Sequence, residues 1–182
     1  MKKGQAVSNF EKAFADYVGA KYAIAMCNGT ATLHTALVAL GVKPGDRVAV
    51  PPLTMAATTI AVLHAGAVPV FVDVDPRTWL MKAPPILAYG NRCVGVSLYG
   101  LNCMRGKHHP HWIDDAAQTL RKHKDCAFTS YSFQASKILP LGEGGMLVTN
   151  DEALATKARE FSSLGYRMRA DQPRIDSETL KS

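Results

Sequence analysis

From residue 9 to residue 72 the chain alternates helix-period segments with short apolar runs, and few architectures accept that order. Residues 9–18 place Phe10, Phe14 and Tyr17 at helical spacing and close at Gly19. Residues 22–26 are a short apolar strand. Asn28-Gly29-Thr30 then turns the chain into a helix expected over 31–40 and stopped by Gly41. Pro44-Gly45-Asp46 is a turn, and residues 47–50 are a strand ended by Pro51-Pro52. A helix over 55–64 stops at Gly66, and the next strand covers 68–72. Strands joined through helices run parallel, because a tight turn can only reverse the chain. Successive strand, helix, strand passages therefore predict a three-layer α/β/α fold with a mostly parallel sheet covered on both faces.

The remainder is less regular. Residues 82–91 hold Pro84 and Pro85 and make a poor helix. Residues 93–98 read as a strand ending at Tyr99-Gly100, and 101–111 as a loop. Trp112-Ile113 leads into Asp114-Asp115, a short strand that ends in acid. Residues 127–133 alternate as a strand, and Gly144-Gly145 introduces another over 146–149. Asn150 is the expected cap of a helix over 152–164. From about 169 onward the chain is polar without a period, which predicts a weakly ordered tail.

Composition narrows the function. With 182 residues the chain can bury one sizeable core, and no apolar run is long enough to span a membrane. Met1-Lys2-Lys3-Gly4-Gln5 has no apolar stretch behind it, so no secretory signal is expected and a cytoplasmic location is the default. The net charge of +6 raises nucleic acid as a partner. The basic residues are dispersed, however, and carry no interleaved aromatics, which counts against a nucleic-acid platform. A phosphorylated small molecule accounts equally well for a mild positive excess. Cys27, Cys93, Cys103 and Cys126 form no C-x-x-C pair and read as reduced thiols. His108, His109 and His111 cluster near Cys103, but Pro110 interrupts them and no second ligand pair follows, so a polar surface loop is expected and no metal.

Three segments carry candidate chemistry. Asn28-Gly29-Thr30-Ala31 lies between a strand and a helix, where free N–H groups and the dipole favour an anion. A plain N-cap turn explains the same residues equally well. In Ile113-Asp114-Asp115-Ala116-Ala117-Gln118 two acids follow a strand at its carboxyl end, where open α/β sheets bind ligands. Either acid suits a cationic heteroatom, or caps a following helix. In Ser132-Phe133-Gln134-Ala135-Ser136-Lys137 a lysine follows a strand end. Such lysines are usually solvated, yet Ile138-Leu139-Pro140-Leu141 comes next, and apolar surroundings would favour the neutral amine that Schiff-base chemistry needs.

Together these segments resemble the sugar aminotransferase group (DegT/StrS-like) of fold-type I pyridoxal phosphate (PLP) enzymes. Asn9-Phe10-Glu11 to Tyr17-Val18-Gly19-Ala20 is similar to that family's first helix, and Gly29-Thr30-Ala31-Thr32-Leu33 to its phosphate loop. Leu40-Gly41-Val42-Lys43-Pro44-Gly45-Asp46-Arg47-Val48 and Gly66-Ala67-Val68-Pro69-Val70-Phe71-Val72-Asp73-Val74-Asp75 resemble two of its landmarks. Asp114-Asp115-Ala116-Ala117-Gln118 resembles its Glu-Asp-Ala-Ala-Gln segment. Ser132 to Lys137, with Gly142-Glu143-Gly144-Gly145-Met146, resembles its lysine motif.

The resemblance implies a PLP-dependent transferase large domain over residues 1–168 and roles for named residues. Lys137 would be the Schiff-base lysine and proton shuttle. Asp115 would pair with the pyridine nitrogen and keep the ring an electron sink. Gln118 would lie at the phenolic oxygen, Gly29, Thr30 and Ser132 at the phosphate, and Ala31 would also contact the cofactor. The implied reaction moves an amino group, from glutamate, to a keto group of a nucleotide-linked sugar, in a homodimer.

Four departures accompany it. The chain is about half the usual family length, so the small C-terminal domain is expected to be absent. The segments between Trp79 and Val94 and between Gly100 and Trp112 look shortened, which is expected to remove covering helices and leave one sheet face exposed or buried by a partner. Met55 stands where an aromatic usually stacks on the cofactor ring. Gly165-Tyr166-Arg167-Met168 lacks the Asn that reaches a neighbouring subunit's phosphate. Two alternatives follow: a shortened homologue that binds PLP without transaminase turnover, and a related sugar dehydratase. The presence of Lys137 counts against the dehydratases that replace it with histidine.

Overall fold

The computed structural model describes residues 4–82, 92–103, 109–123 and 126–163. Helix α1 (Gln5–Val18) buries Phe14, Ala15 and Val18 along one stripe and ends at Gly19, whose φ of 70° is open to glycine and costly for other residues. Strand β1 (Tyr22–Met26) leads into α2 (Gly29–Ala39). This helix begins two residues before the expected start because the Asn28 side chain accepts the Ala31 N–H and so lets the turn begin at Gly29. Then follow β2 (Arg47–Val50), α3 (Ala56–His64), β3 (Val68–Phe71) and β4 (Cys93–Val96), the last running into a 3-10 turn over Leu98–Gly100. Strands β5 (His109–Asp115), β6 (Cys126–Ser132) and β7 (Gly145–Thr149) and helix α4 (Glu152–Ser162) complete the chain.

The seven strands form one sheet in the order β1-β7-β6-β5-β4-β2-β3. Pairs β2–β3, β2–β4, β4–β5 and β5–β6 are parallel, as expected. Strand β7 runs antiparallel to both β1 and β6. Its direction follows from the connection: no helix occupies the link from Ser132 to Gly145, so the chain folds back beside β6 as a long hairpin. The first strand-helix-strand passage also differs from a simple neighbour crossover. Strands β1 and β2 lie far apart in the order, and α2 spans the distance by packing over β7, β6 and β5.

Helices α2, α3 and α4 cover one face, where Leu33, Leu37, Val62 and Ala158 meet Ile24, Val48, Val94, Ile113, Phe128 and Leu147. Helix α1 covers part of the other, packing Phe14 and Val18 on Tyr131, Phe133, Met146 and Val148. Phe14 meets the rings of Tyr131 and Phe133 edge-on at 5.0 and 5.2 Å. Buried Glu11 ties α1 to β1 by accepting the Ala25 N–H at 2.7 Å, and it pairs with Arg159 of α4, which also donates to the Ala23 carbonyl. The face over β2 and β4 is covered in part. Among the described residues no helix lies there, yet Ala49 and Cys93 are buried beneath Val72, Met81 and Trp112.

Two further expectations are corrected. Residues 109–111 belong to β5 rather than to a loop, and a register shift between His109 and Ile113 absorbs Pro110, which has no N–H to give the ladder. The cap of α4 is Asp151, whose carboxylate accepts the Leu154 N–H, while Asn150 accepts the Lys21 N–H instead. The segments at 83–91 and 164–182, with the expected tail and the Arg167-Met168 landmark, lie outside the described residues, as does His108. No group of three or more His, Cys, Asp or Glu suited to a metal occurs among the described residues.

Candidate active site

Strand pairing brings the three candidate segments together. Met26 at the end of β1 lies opposite Gly145, and Gly145 lies opposite Ser132 at the end of β6. One strand further, Asp115 at the end of β5 lies opposite Ser130 on one side and Val96 on the other. A cavity of about 410 Å³ opens at these strand ends. Its lining includes Asn28, Gly29, Thr30, Asp115, Gln118, Ser132 and Lys137, which lie far apart in sequence.

One end of the cavity is built for an anion. Helix α2 starts there, with Asn28 satisfying the Ala31 N–H and the Asn28 carbonyl accepting from Thr32. The N–H groups of Gly29 and Thr30 have no partner among the described residues, which leaves two donors and the helix dipole facing the cavity. The Thr30 hydroxyl lies beside them, and the Ser132 hydroxyl is held only by a long 3.4 Å contact from the Gln134 N–H. Ala31, expected at the cofactor, is not in the lining, and its N–H is bonded to the Asn28 side chain. The floor is tight: a Cβ on Gly29 would lie 3.0 Å from Ser132 Cβ, and one on Gly145 only 2.5 Å from the Asn28 carbonyl oxygen.

The two acids separate by function. Strand alternation sends Asp115 to the face of α2 and α3 and Asp114 to the opposite face. Asp115 is buried in the cavity wall, with one oxygen accepting from the Thr58 hydroxyl at 2.8 Å and the other from the Ala117 N–H at 3.2 Å. Burial raises its pKa, and the Thr58 bond, the Ala117 bond and the Lys137 charge each oppose that rise. A buried carboxylate with these donors suits a cationic nitrogen. No helix follows it, so helix capping is not its role.

Asp114 accepts from the Ser97 hydroxyl at 2.7 Å and from the Cys103 thiol at 3.2 Å. Burial pushes its carboxyl up to about 6, against the help of those bonds. A carboxyl that binds its proton more tightly when folded stabilises the fold fully at low pH and loses that contribution as pH rises through about 6. Between pH 4 and pH 6.5 the wild-type protein should lose on the order of 3 kcal/mol from this group. Asp114→Asn should lack that component, so denaturant melts of the two proteins should diverge across this window and run parallel above it.

Gln118 uses its side-chain oxygen to accept the Tyr99 N–H at 2.8 Å, which leaves its amide nitrogen without a partner among the described residues. Tyr99 has a φ of 51°, so this bond helps hold a strained turn at the rim. Met55 caps α3 and lines the cavity, but it is 68% exposed. Lys137 lies in the β6–β7 link, half-buried, with its N–H on the Gln134 carbonyl at 2.8 Å. The apolar run after it does not enclose the amine, contrary to expectation. Ile138 and Leu141 face solvent, and Leu139 packs against the cluster under α1. Sequence reasoning also passed over Thr54, Ala57, Val96 and Glu143, which line the cavity, and Thr58 behind Asp115. Thr54 precedes α3 and Thr58 lies in its first turn, four residues apart, a weak signal in isolation.

An anion cradle, a buried carboxylate, an amide and a primary amine thus share one cavity. These residues fit a ligand that carries a phosphate at one end and a basic ring nitrogen at the other. Comparison with known proteins agrees. The profile of the DegT/DnrJ/EryC1/StrS aminotransferase family matches residues 1–180. GDP-perosamine synthase of Caulobacter vibrioides is 44% identical over 89% of this chain and 48% of its own length. UDP-2-acetamido-2-deoxy-3-oxo-D-glucuronate aminotransferase of Pseudomonas aeruginosa is 38% identical over 94% of this chain and 53% of its own length. The chain spans about half the length of the curated relatives it matches. Among solved structures, an aminotransferase from Psychrobacter cryohalolentis superposes with a TM-score of 0.81 at 35% identity, covering 94% of this chain and 50% of the other. NtdA of Bacillus subtilis with bound cofactor PMP gives 0.80 at 30% identity, covering 96% of this chain and 44% of the other. A shared profile, shared identity and a shared fold, together with the residues gathered in the cavity, show that the chain belongs to the DegT/DnrJ/EryC1/StrS aminotransferase family.

Proposed function

We propose that this cavity holds pyridoxal 5'-phosphate and serves amino transfer, with glutamate as donor, to the keto group of a nucleotide-linked sugar. The carrying observation is that Lys137 and buried Asp115 line the same cavity as the unpartnered N–H groups at the start of α2. Gly29, Thr30 and Ser132 would bind the phosphate through N–H and hydroxyl donors. Asp115 would face the ring nitrogen as a carboxylate, and the free amide nitrogen of Gln118 would donate to the ring's oxygen. Met55 would lie along the ring. The bound cofactor supplies an electron sink and carries the amino group between two half-reactions. Lys137 would hold the cofactor through its amine and would serve as the base that moves the proton at the reacting carbon. Met55 lines the cavity and is exposed, and with exposed Tyr99, Ile138 and Leu141 it supports contact with a second copy, as a homodimer.

The test is direct. Protein incubated with PLP should show a visible absorption band, and borohydride should fix the cofactor to Lys137, located by peptide mass. Glutamate should then bleach the band and release 2-oxoglutarate. The same exposed residues favour a second reading, cofactor binding without turnover. A band that persists with every amino donor would establish that reading, and an adduct on any lysine other than Lys137 would refute the first.

A further inference from the structure

Thr58 lies on α3, fully buried, and belongs to neither the cavity lining nor either apolar cluster. Its hydroxyl is 2.8 Å from Asp115 Oδ2 and 2.9 Å from the Thr54 hydroxyl. An ionised carboxylate only accepts, so Thr58 donates to Asp115. The Thr58 oxygen is then the acceptor for Thr54. The pair is a one-way relay that starts at a residue lining the cavity and ends on the carboxylate.

We propose that Thr58, backed by Thr54, is a positioning residue for Asp115: it fixes the orientation of the carboxylate and keeps it able to receive a cationic ring nitrogen. The inference rests on the proposed cofactor role of Asp115. Each carboxylate oxygen has one bond from the chain, Oδ2 from Thr58 and Oδ1 from the longer 3.2 Å contact with the Ala117 N–H. The group therefore cannot rotate without breaking its shorter bond. The Lys137 charge across the cavity also acts on it, while Asp114 points to the opposite face and is held there by Ser97 and Cys103. A bond to the charged form favours that form, and its removal leaves desolvation unopposed at Oδ2. Because α3 supplies the donor and β5 the acceptor, the relay also makes the carboxylate's orientation depend on how α3 sits on the sheet.

The test uses Thr58→Val, which keeps the branched shape and removes the hydroxyl, with Thr58→Ser as rescue. In the cofactor-free protein, the Asp115 carboxyl is titrated by carbon-13 NMR and assigned with Asp115→Asn. Its midpoint should rise in Thr58→Val and return in Thr58→Ser. In a PLP titration, Thr58→Val should bind at least about tenfold more weakly, with Thr58→Ser near wild type. A folded Thr58→Val protein with an unmoved Asp115 midpoint overturns the proposal, whatever its PLP affinity. If Thr58→Val does not fold, Thr54→Val takes its place, with a smaller rise expected and no rise overturning the relay. Should wild-type protein bind no PLP, the cofactor reading fails, while the cofactor-free titration still decides whether Thr58 governs Asp115.

Discussion

Lys137→Ala should give a folded protein that borohydride can no longer label with cofactor and whose amino transfer falls on the order of 10⁴-fold or more. Under the proposed function two roles would be lost together: the amine that would bond to the cofactor and the group that would move the proton at the reacting carbon. Folding should survive because the side chain is half-buried in the β6–β7 link and belongs to neither core cluster. The link is held by its backbone, through Lys137 N–H on the Gln134 carbonyl, Ala135 N–H on the Gly142 carbonyl and Leu141 N–H on the Phe133 carbonyl. None of these bonds uses the lysine side chain, so the melting temperature should stay near wild type. Cofactor affinity should fall without vanishing, since the start of α2, Ser132 and Gln118 remain. Asp115 should move too. The Lys137 charge is one of the three influences opposing its burial, so the variant's Asp115 carboxyl should take up its proton at higher pH. Intact-protein mass after reduction, a coupled assay for 2-oxoglutarate and a thermal melt check the three statements. A retained adduct would transfer the Schiff-base role to another amine.

That so much of this site can be inferred before folding has a physical reason. Parallel strands point their carboxyl ends the same way, so the residues that follow β5 and β6 are bound to share an edge, and α2 must start beside them. Hence Gly29, Thr30, Asp115, Gln118, Ser132 and Lys137 meet as their positions in the chain suggest. The reversal of β7 was hidden because strand direction depends on what fills the link after Ser132, and its apolar Ile138-Leu139-Pro140-Leu141 run gives no sign that two of its residues face solvent. The Ala31 N–H is engaged by the Asn28 cap, which local sequence allows but does not require. The strand start at His109 was obscured by Pro110, which a bulge accommodates. Thr58 was beyond reach for another reason. Its meaning comes from a partner 57 residues away, and in the sequence it is one threonine in a helix.

Gly145→Ala should be severely damaging for a single added methyl. Gly145 starts β7 between Met26 of β1 and Ser132 of β6, so both sides of its backbone are fixed by strand pairing. A Cβ there would lie 2.5 Å from the Asn28 carbonyl oxygen, 2.6 Å from the Asn28 carbonyl carbon and 2.9 Å from the Gly29 nitrogen. Those atoms are backbone, so no side chain can rotate away, and relief requires the strand or the start of α2 to move. Overpacking of this kind costs about 3 kcal/mol or more, a fall of roughly 6–12 °C in melting temperature for a chain of this size. The displaced atoms are also those of the anion cradle. The Asn28 carbonyl accepts from Thr32, and Gly29 carries one of the two unpartnered N–H groups, so the same methyl should weaken PLP binding. Gly142→Ala serves as the comparison in the same link. Its φ of 85° makes alanine strained by about 1–2 kcal/mol, but a Cβ there meets nothing within 4 Å. Gly142→Ala should therefore lose stability modestly and bind cofactor normally, whereas Gly145→Ala loses both. Paired thermal melts and cofactor titrations separate the two effects. If Gly145→Ala melts and binds like the wild type, the contact between β7 and the start of α2 is looser than its geometry indicates, and the cradle does not depend on it.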